Sequence, residues 1–157
     1  MRFRALAEQA RVENLHVVAT AAAREAENGP AFVEAAESIL DQPIRILTGA
    51  EEARFSAQGV ISAFRAPNGM AGDLGGGSLE LVNLGDHQIG NTATLPLGAL
   101  RLSRMSYSKE ELVQYLHAQF ESVDWLADVR GTNFYVVGGA WRAMAKYHIR
   151  KTGHSLN

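Results

Sequence analysis

Asp73-Leu74-Gly75-Gly76-Gly77-Ser78-Leu79-Glu80 places two carboxylates, three consecutive glycines and a hydroxyl within one short stretch between two apolar runs. Glycines lack the Cβ that forbids φ > 0, so such a turn can aim several backbone N–H groups at one anion. Asp73 would end the incoming strand, and Glu80 would lie on the returning strand on the same side of the turn. Carboxylates so placed suit Mg²⁺, a hard cation that takes oxygen ligands and keeps several waters. A Gly-rich hairpin with acids solvating its flanks explains the same residues, so the remaining chain has to decide.

Thr48-Gly49-Ala50-Glu51-Glu52 separates two adjacent acids by role. Thr48 followed by Glu51 fits a capping box, in which the glutamate reaches back to the cap's own N–H. Glu52 is turned about 100° from Glu51 on a helix. It shares a face with the small residues Ser56, Gly59 and Ala63. A carboxylate on a face that can line a cleft is a candidate general base, able to orient and deprotonate a water beside a bound phosphate. The macrodipole alone also favours an acid there. Arg24 lies one turn into the helix that leaves the first strand, near the carboxyl edge where α/β proteins bind ligands. An arginine there can hold phosphate through paired N–H bonds, although most helical arginines are simply solvated. Gly138-Gly139 is a strand-to-helix turn able to offer N–H groups to an anion.

The elements that must position these residues follow from periodicity and punctuation. A helix over residues 3–9 carries Phe3, Leu6, Ala7 and Ala10 at helical spacing. Residues 14–19 read as a short buried strand. A helix begins at Ala21, and Asn28-Gly29-Pro30 ends it and starts a second one running to about Leu40, with Phe32, Ala35, Ala36, Ile39 and Leu40 on its inner face. Residues 44–47 form the next strand, so the unit is βαβ with parallel pairing. The helix opened by Thr48 presents Ala53, Ala57, Val60, Ile61 and Phe64 as its core stripe. Pro67-Asn68-Gly69 is a turn and the best internal boundary. Beyond it, residues 69–74, 78–84 and 87–96 read as antiparallel strands, joined by the glycine turn and by Gly85-Asp86. Residues 97–102 lead away from the sheet. Ser108 with Glu111 signals a capped helix through Leu112, Leu116 and Phe120, and residues 134–137 form a last strand.

Composition removes several function classes. The chain has 157 residues, 46% of them apolar, and a net charge of −2, enough for one packed core or two small lobes. There is no basic excess to bind nucleic acid specifically, and Arg150-Lys151, with His148 and His154 nearby, is expected in a frayed tail. Without cysteine there are neither disulfides nor thiolate metal sites, which fits the cytoplasm. No apolar run approaches the roughly 18 residues of a membrane span.

Taken in order, Ala19 to Ala26 with Asn28-Gly29, Thr48 to Arg54, Asp73 to Glu80, Pro96-Leu97-Gly98-Ala99, and Gly138-Gly139-Ala140-Trp141-Arg142 resemble the exopolyphosphatase and guanosine pentaphosphate phosphohydrolase (Ppx/GppA) family. Five ordered motifs over nearly the whole chain are far more specific than any one of them. The resemblance implies an α/β fold of the actin-like (ribonuclease H-like) ATPase superfamily, with two lobes and a cleft. It also implies Mg²⁺-dependent removal of a terminal phosphoryl group from polyphosphate, or of the 5′ γ-phosphate from guanosine pentaphosphate. The family's catalytic glutamate falls on Glu52 and its cleft arginine on Arg24. Its metal and water-orienting acids fall on Asp73 and Glu80, and its phosphate-cradling turns on Gly75, Gly76, Gly77 and Ser78 and on Gly138 and Gly139. Ala140 departs from the family, which usually has a hydroxyl residue there.

The family's aspartate-based phosphate hairpin has no counterpart in residues 1–15. The expectation is therefore an incomplete, internal segment: residues 1–67 as the end of the first lobe and residues 68–157 as the beginning of the second. A chain without that hairpin is expected to be a weak phosphatase alone and to expose a sheet edge at the Val17-Val18 strand, through which it could form homo-oligomers. A reading from another class is a remnant that holds phosphate without turnover.

Overall fold

The computed structural model describes residues 2–85 and 88–154. Asp86 of the expected Gly85-Asp86 hairpin turn, and His87 at the expected start of the following strand, lie outside them. The chain divides into two compact units, Met1–Thr48 and Gly49–Asn157.

The first unit contains α1 (Arg2–Gln9), β1 (Val17–Ala19), α2 (Ala21–Glu25), α3 (Gly29–Leu40) and β2 (Ile44–Ile46). β1 and β2 pair in parallel, Val17 with Ile44 through Ala19 with Ile46, as the βαβ reading requires. The strand expected to be buried is shorter and half-open, with Val18 53% exposed. The expected inner face of α3 is also corrected. Phe32 and Ile39 are exposed, and the side turned inward carries Val33, Ala36, Glu37 and Leu40. Glu37 fixes that rotation, because its carboxylate accepts the Ile44 N–H at 2.7 Å and ties the helix to the head of β2.

The second unit is a four-stranded mixed sheet between helices. Its strands are β3 (Gly69–Leu74), β4 (Leu79–Gly85), β5 (Gln88–Leu95) and β6 (Asn133–Val137), in the order β5-β4-β3-β6. β3–β4 and β4–β5 are antiparallel and β3–β6 is parallel. One sheet face packs on α4 (Gly49–Ala63), where Ala53, Ala57 and Val60 meet Ala71, Val82 and Leu84 in a buried cluster. This packing explains why the division falls at Thr48/Gly49 and not at the Pro67-Asn68-Gly69 turn. The other face buries Leu79, Leu81 and Leu95 with Leu97 and Val123. It is covered by residues of α5 (Ala99–Ser103), α6 (Lys109–Glu121), the 3₁₀ turn Asp124–Ala127 and α7 (Gly139–Thr152).

Local signals place the ends of these helices. Ser108 and Glu111 form the expected capping box on α6, and the Ser108 N–H, with the Ser108 hydroxyl beside it, holds the Glu111 carboxyl below its ordinary pKa. α7 continues through Arg150 and Lys151 to an αL glycine cap at Gly153, so these two cations occupy a last helical turn and not a frayed tail. Because Ala57 is fully buried against the sheet, Ala57→Leu should overpack the interface and lower the unfolding free energy by about 1–3 kcal/mol. Exposed Gln58→Leu should change it by less than about 0.5 kcal/mol. Denaturant midpoints of the two variants test this orientation of α4.

Candidate functional site

The β3–β4 ladder pairs Asp73 directly with Glu80, and directly opposed residues point to the same face. β4–β5 pairing places Thr94 opposite Glu80, so Thr94, Glu80 and Asp73 form a polar row across three strands. The row lies on the α4 side, in line with Ala71 on β3 and Val82 on β4. Glu80 is 2% exposed and Asp73 is half-buried.

α4 runs over this row. A Cβ at Gly49 would overlap the Thr94 side chain, so only glycine lets the helix start there. Two turns further on, the Ser56 hydroxyl donates to Asp73 Oδ2 at 2.6 Å. Glu52 lies between these anchors, three residues after Gly49 and four before Ser56, hence on the same side of the helix and half-buried. Of the small-residue face of α4, Ser56 thus meets the carboxylate row, whereas Gly59 and Ala63 are exposed.

Residues 75–78 leave the sheet between β3 and β4 in a closed turn, with the Gly75 N–H donating to the Ser78 carbonyl at 3.0 Å and Ser78 buried. The segment expected to lead away from the sheet returns to this turn instead. The first-turn N–H groups of α5 would otherwise be orphans, and they find the loop's carbonyls. Ala99 N–H donates to Gly75 O, and the N–H groups of Leu100 and Arg101 both donate to Gly76 O, each at 3.0 Å. Arg101 Nε adds a bond to Gly77 O at 2.7 Å. The loop is thus held largely by its carbonyls, and the N–H groups of Gly76 and Gly77 are not among these backbone bonds.

Gly138 closes the other side of the row. Val137 is the β6 partner of Asp73, and Gly138 follows it at φ +104 as the N-cap of α7. A Cβ there would stand 2.7 Å from Asp73 Oδ1. Gly139 is exposed in the first turn of α7.

The second unit thus brings together Asp73, Glu80, Gly75, Gly76, Gly77, Ser78, Gly138 and Gly139, with Glu52 on the helix above. Arg24 belongs to the first unit, where it is half-buried, donates to the Leu47 carbonyl past the end of β2 and lies 3.7 Å from Glu25. Three contributors were not assigned from the sequence. Ser56 was placed on the Glu52 face by its i+4 spacing, but its partner Asp73 was not. Thr94 and Arg101 carry no local signal, since their contacts are made across the sheet and across the loop. Among the described residues, no group of three or more His, Asp or Glu converges on one point. The donor set is therefore the two carboxylates of Asp73 and Glu80 beside the glycine turn, a set of few oxygen ligands that would fit Mg²⁺ and would not suit a metal caged by protein.

The chain belongs to the Ppx/GppA phosphatase family, whose sequence pattern it matches over residues 1–156. An exopolyphosphatase from Cytophaga hutchinsonii ATCC 33406 superposes with a TM-score of 0.83 at 20% identity, over 99% of this chain and 54% of that one. A Ppx/GppA family member from Aquifex aeolicus gives a TM-score of 0.71 at 22% identity, over 98% and 52%. The mixed α/β fold expected from the resemblance is therefore the fold found, and the chain spans about half the length of these solved relatives. Among the described residues, no helix is long and apolar enough to cross a membrane.

The α5–loop contact predicts a contrast between two glycines. A Cβ at Gly98 would overlap the backbone of Gly76 and Gly77, whereas one at Gly76 would meet the Leu100 side chain at 3.1 Å, and that side chain can rotate. Gly98→Ala should cost about 2 kcal/mol or more, equivalent to a fall of several degrees in thermal midpoint. Gly76→Ala should cost clearly less, as scanning calorimetry of both variants would show.

Proposed function

We propose that this chain carries the catalytic base and the phosphate- and metal-binding strands of an exopolyphosphatase, which hydrolyses the terminal phosphoanhydride bond of inorganic polyphosphate. The observation that supports it most is the Asp73–Glu80 pair, set across a glycine loop whose carbonyls are already engaged and overlain by the helix that carries Glu52.

Glu52 accepts a proton from a water as the water oxygen attacks the terminal phosphorus. The bond from that phosphorus to the bridging oxygen breaks, and the oxygen leaves with the shortened chain. The loop N–H groups of Gly76 and Gly77 and the α7 end at Gly139 face anionic oxygens with fixed partial positive charge. Asp73 and Glu80 would hold Mg²⁺, which supplies charge neutralisation at phosphate oxygens. Such catalysis rests on positioning and electrostatics, so loss of one element lowers rate steeply. The role of Arg24 rests on the family resemblance, and the cytoplasm as compartment on the lack of cysteine. Guanosine pentaphosphate is the second substrate reading. It is supported by the family membership, and parallel assays of both substrates separate the two.

Glu52→Gln keeps shape but cannot act as a base, so orthophosphate release from long-chain polyphosphate should fall by about 10²- to 10⁴-fold with affinity held within several-fold. Glu51→Gln should lose far less, since glutamine also serves in a capping box. Equal losses would remove Glu52 from the mechanism.

Asp73→Asn tests the metal assignment separately. An amide brings no charge to a hard cation, so half-maximal activity should move to higher Mg²⁺ concentration before activity disappears. An unchanged Mg²⁺ titration would show Asp73 to be no more than the end of a strand.

A further inference from the structure

A serine inside a helix ordinarily turns its hydroxyl onto its own backbone. Ser62, on α4, does so, donating to the Gln58 carbonyl at 2.8 Å. Ser56, on the same helix, reaches across to the sheet and donates to Asp73 Oδ2 at 2.6 Å, within the short range of hydrogen bonds to a carboxylate. Ala53 and Ala57, fully buried on either side of it in sequence, let α4 approach closely enough for this reach.

The other oxygen of Asp73 is confined by backbone. Oδ1 lies where Gly138, at φ +104, leaves room that no Cβ could share. Asp73 is itself held in two ladders, opposite Glu80 and beside Val137. We propose that Ser56 is a positioning residue: its hydroxyl holds Asp73 Oδ2 and turns Oδ1 to the Gly138 side, so that one defined oxygen is presented to the cation. The proposal rests on the reading of Asp73 as a metal-site acid. A Mg²⁺ site with few protein ligands tolerates little error in each, and the hydrogen-bond partners of ligating carboxylates typically govern about 10- to 100-fold of metal affinity.

The test uses the full chain in four forms: wild type, Ser56→Ala, Ser56→Thr, and Ser62→Ala as the control hydroxyl. Three-bond couplings report whether Asp73 χ1 occupies one rotamer, and Mn²⁺ binding, measured by calorimetry, reports the cation site without turnover. In Ser56→Ala the Asp73 couplings should become averaged and Mn²⁺ affinity should fall about 10- to 100-fold. Ser56→Thr should restore both, and Ser62→Ala should leave both as in wild type. Asp73 couplings that stay fixed in Ser56→Ala overturn the proposal, as does undiminished Mn²⁺ affinity in that variant. Couplings that average in Ser56→Ala while the wild type binds no Mn²⁺ uphold the hydrogen bond's positioning role and overturn the metal reading of Asp73.

Discussion

The contact on which the second unit depends is the meeting of two backbones, the Gly76-Gly77 turn and the start of α5 at Gly98. A loop of three glycines has little side-chain packing to hold it, and each glycine loses more backbone freedom on ordering than any other residue. What offsets that loss is a set of hydrogen bonds that a helix N-terminus must make in any case. Ala99, Leu100 and Arg101 satisfy their N–H groups on the Gly75 and Gly76 carbonyls, and Gly98 permits the approach because it has no Cβ. The carbonyls of Gly75 and Gly76 face α5 and the Gly75 N–H closes the turn on Ser78, while the N–H groups of Gly76 and Gly77, which the proposed reaction uses, are not among these backbone bonds. Order in the loop and the proposed phosphate site thus depend on one contact.

A second constraint is the smallness of α4. Alanines at 53 and 57 bring the helix down onto Ala71 and Val82, and the glycine at 49 lets its first turn pass Thr94. Larger residues would raise the helix from the sheet. The Ser56–Asp73 hydrogen bond would then break first, and Glu52, carried one turn earlier, would move with the helix. Stability and site geometry are therefore linked through the same few side chains.

Much of this was legible because the signals were local. Acid, glycines, acid on two apolar alternations defines the β3–β4 register, and Ser108 with Glu111 defines the start of α6. Ala53, Ala57 and Val60 of the α4 stripe read correctly for the same reason, whereas Phe64, expected on that stripe, lies past the end of the helix and is 54% exposed. The return of α5 to the glycine loop was not legible, since Gly98 meets Gly77 across 21 residues of chain and no periodicity encodes a backbone–backbone contact. α3 misled because it carries apolar residues on two sides. The side containing Glu37 won through a hydrogen bond to Ile44 that hydrophobic spacing cannot anticipate. Ser56 was placed on the right face, but its partner belongs to a strand whose distance from α4 only the folded chain sets.

Two carboxylates opposite each other, one of them buried, are an arrangement that folding alone disfavours. Like charges at directly paired strand positions repel, and burial penalises whichever remains ionised. Ser56 donates one hydrogen bond to Asp73, and Thr94 stands opposite Glu80 on the next strand. A sequence under pressure only for stability would replace one acid with an apolar or amide residue, and the neighbouring positions Ala71 and Val82 show that the same face accepts apolar side chains well. A bound divalent cation reverses the balance, because each carboxylate is then attracted more by the ion than it is repelled by its neighbour. Two acids at directly opposed positions are thus the feature of the sheet that the proposed cation would account for.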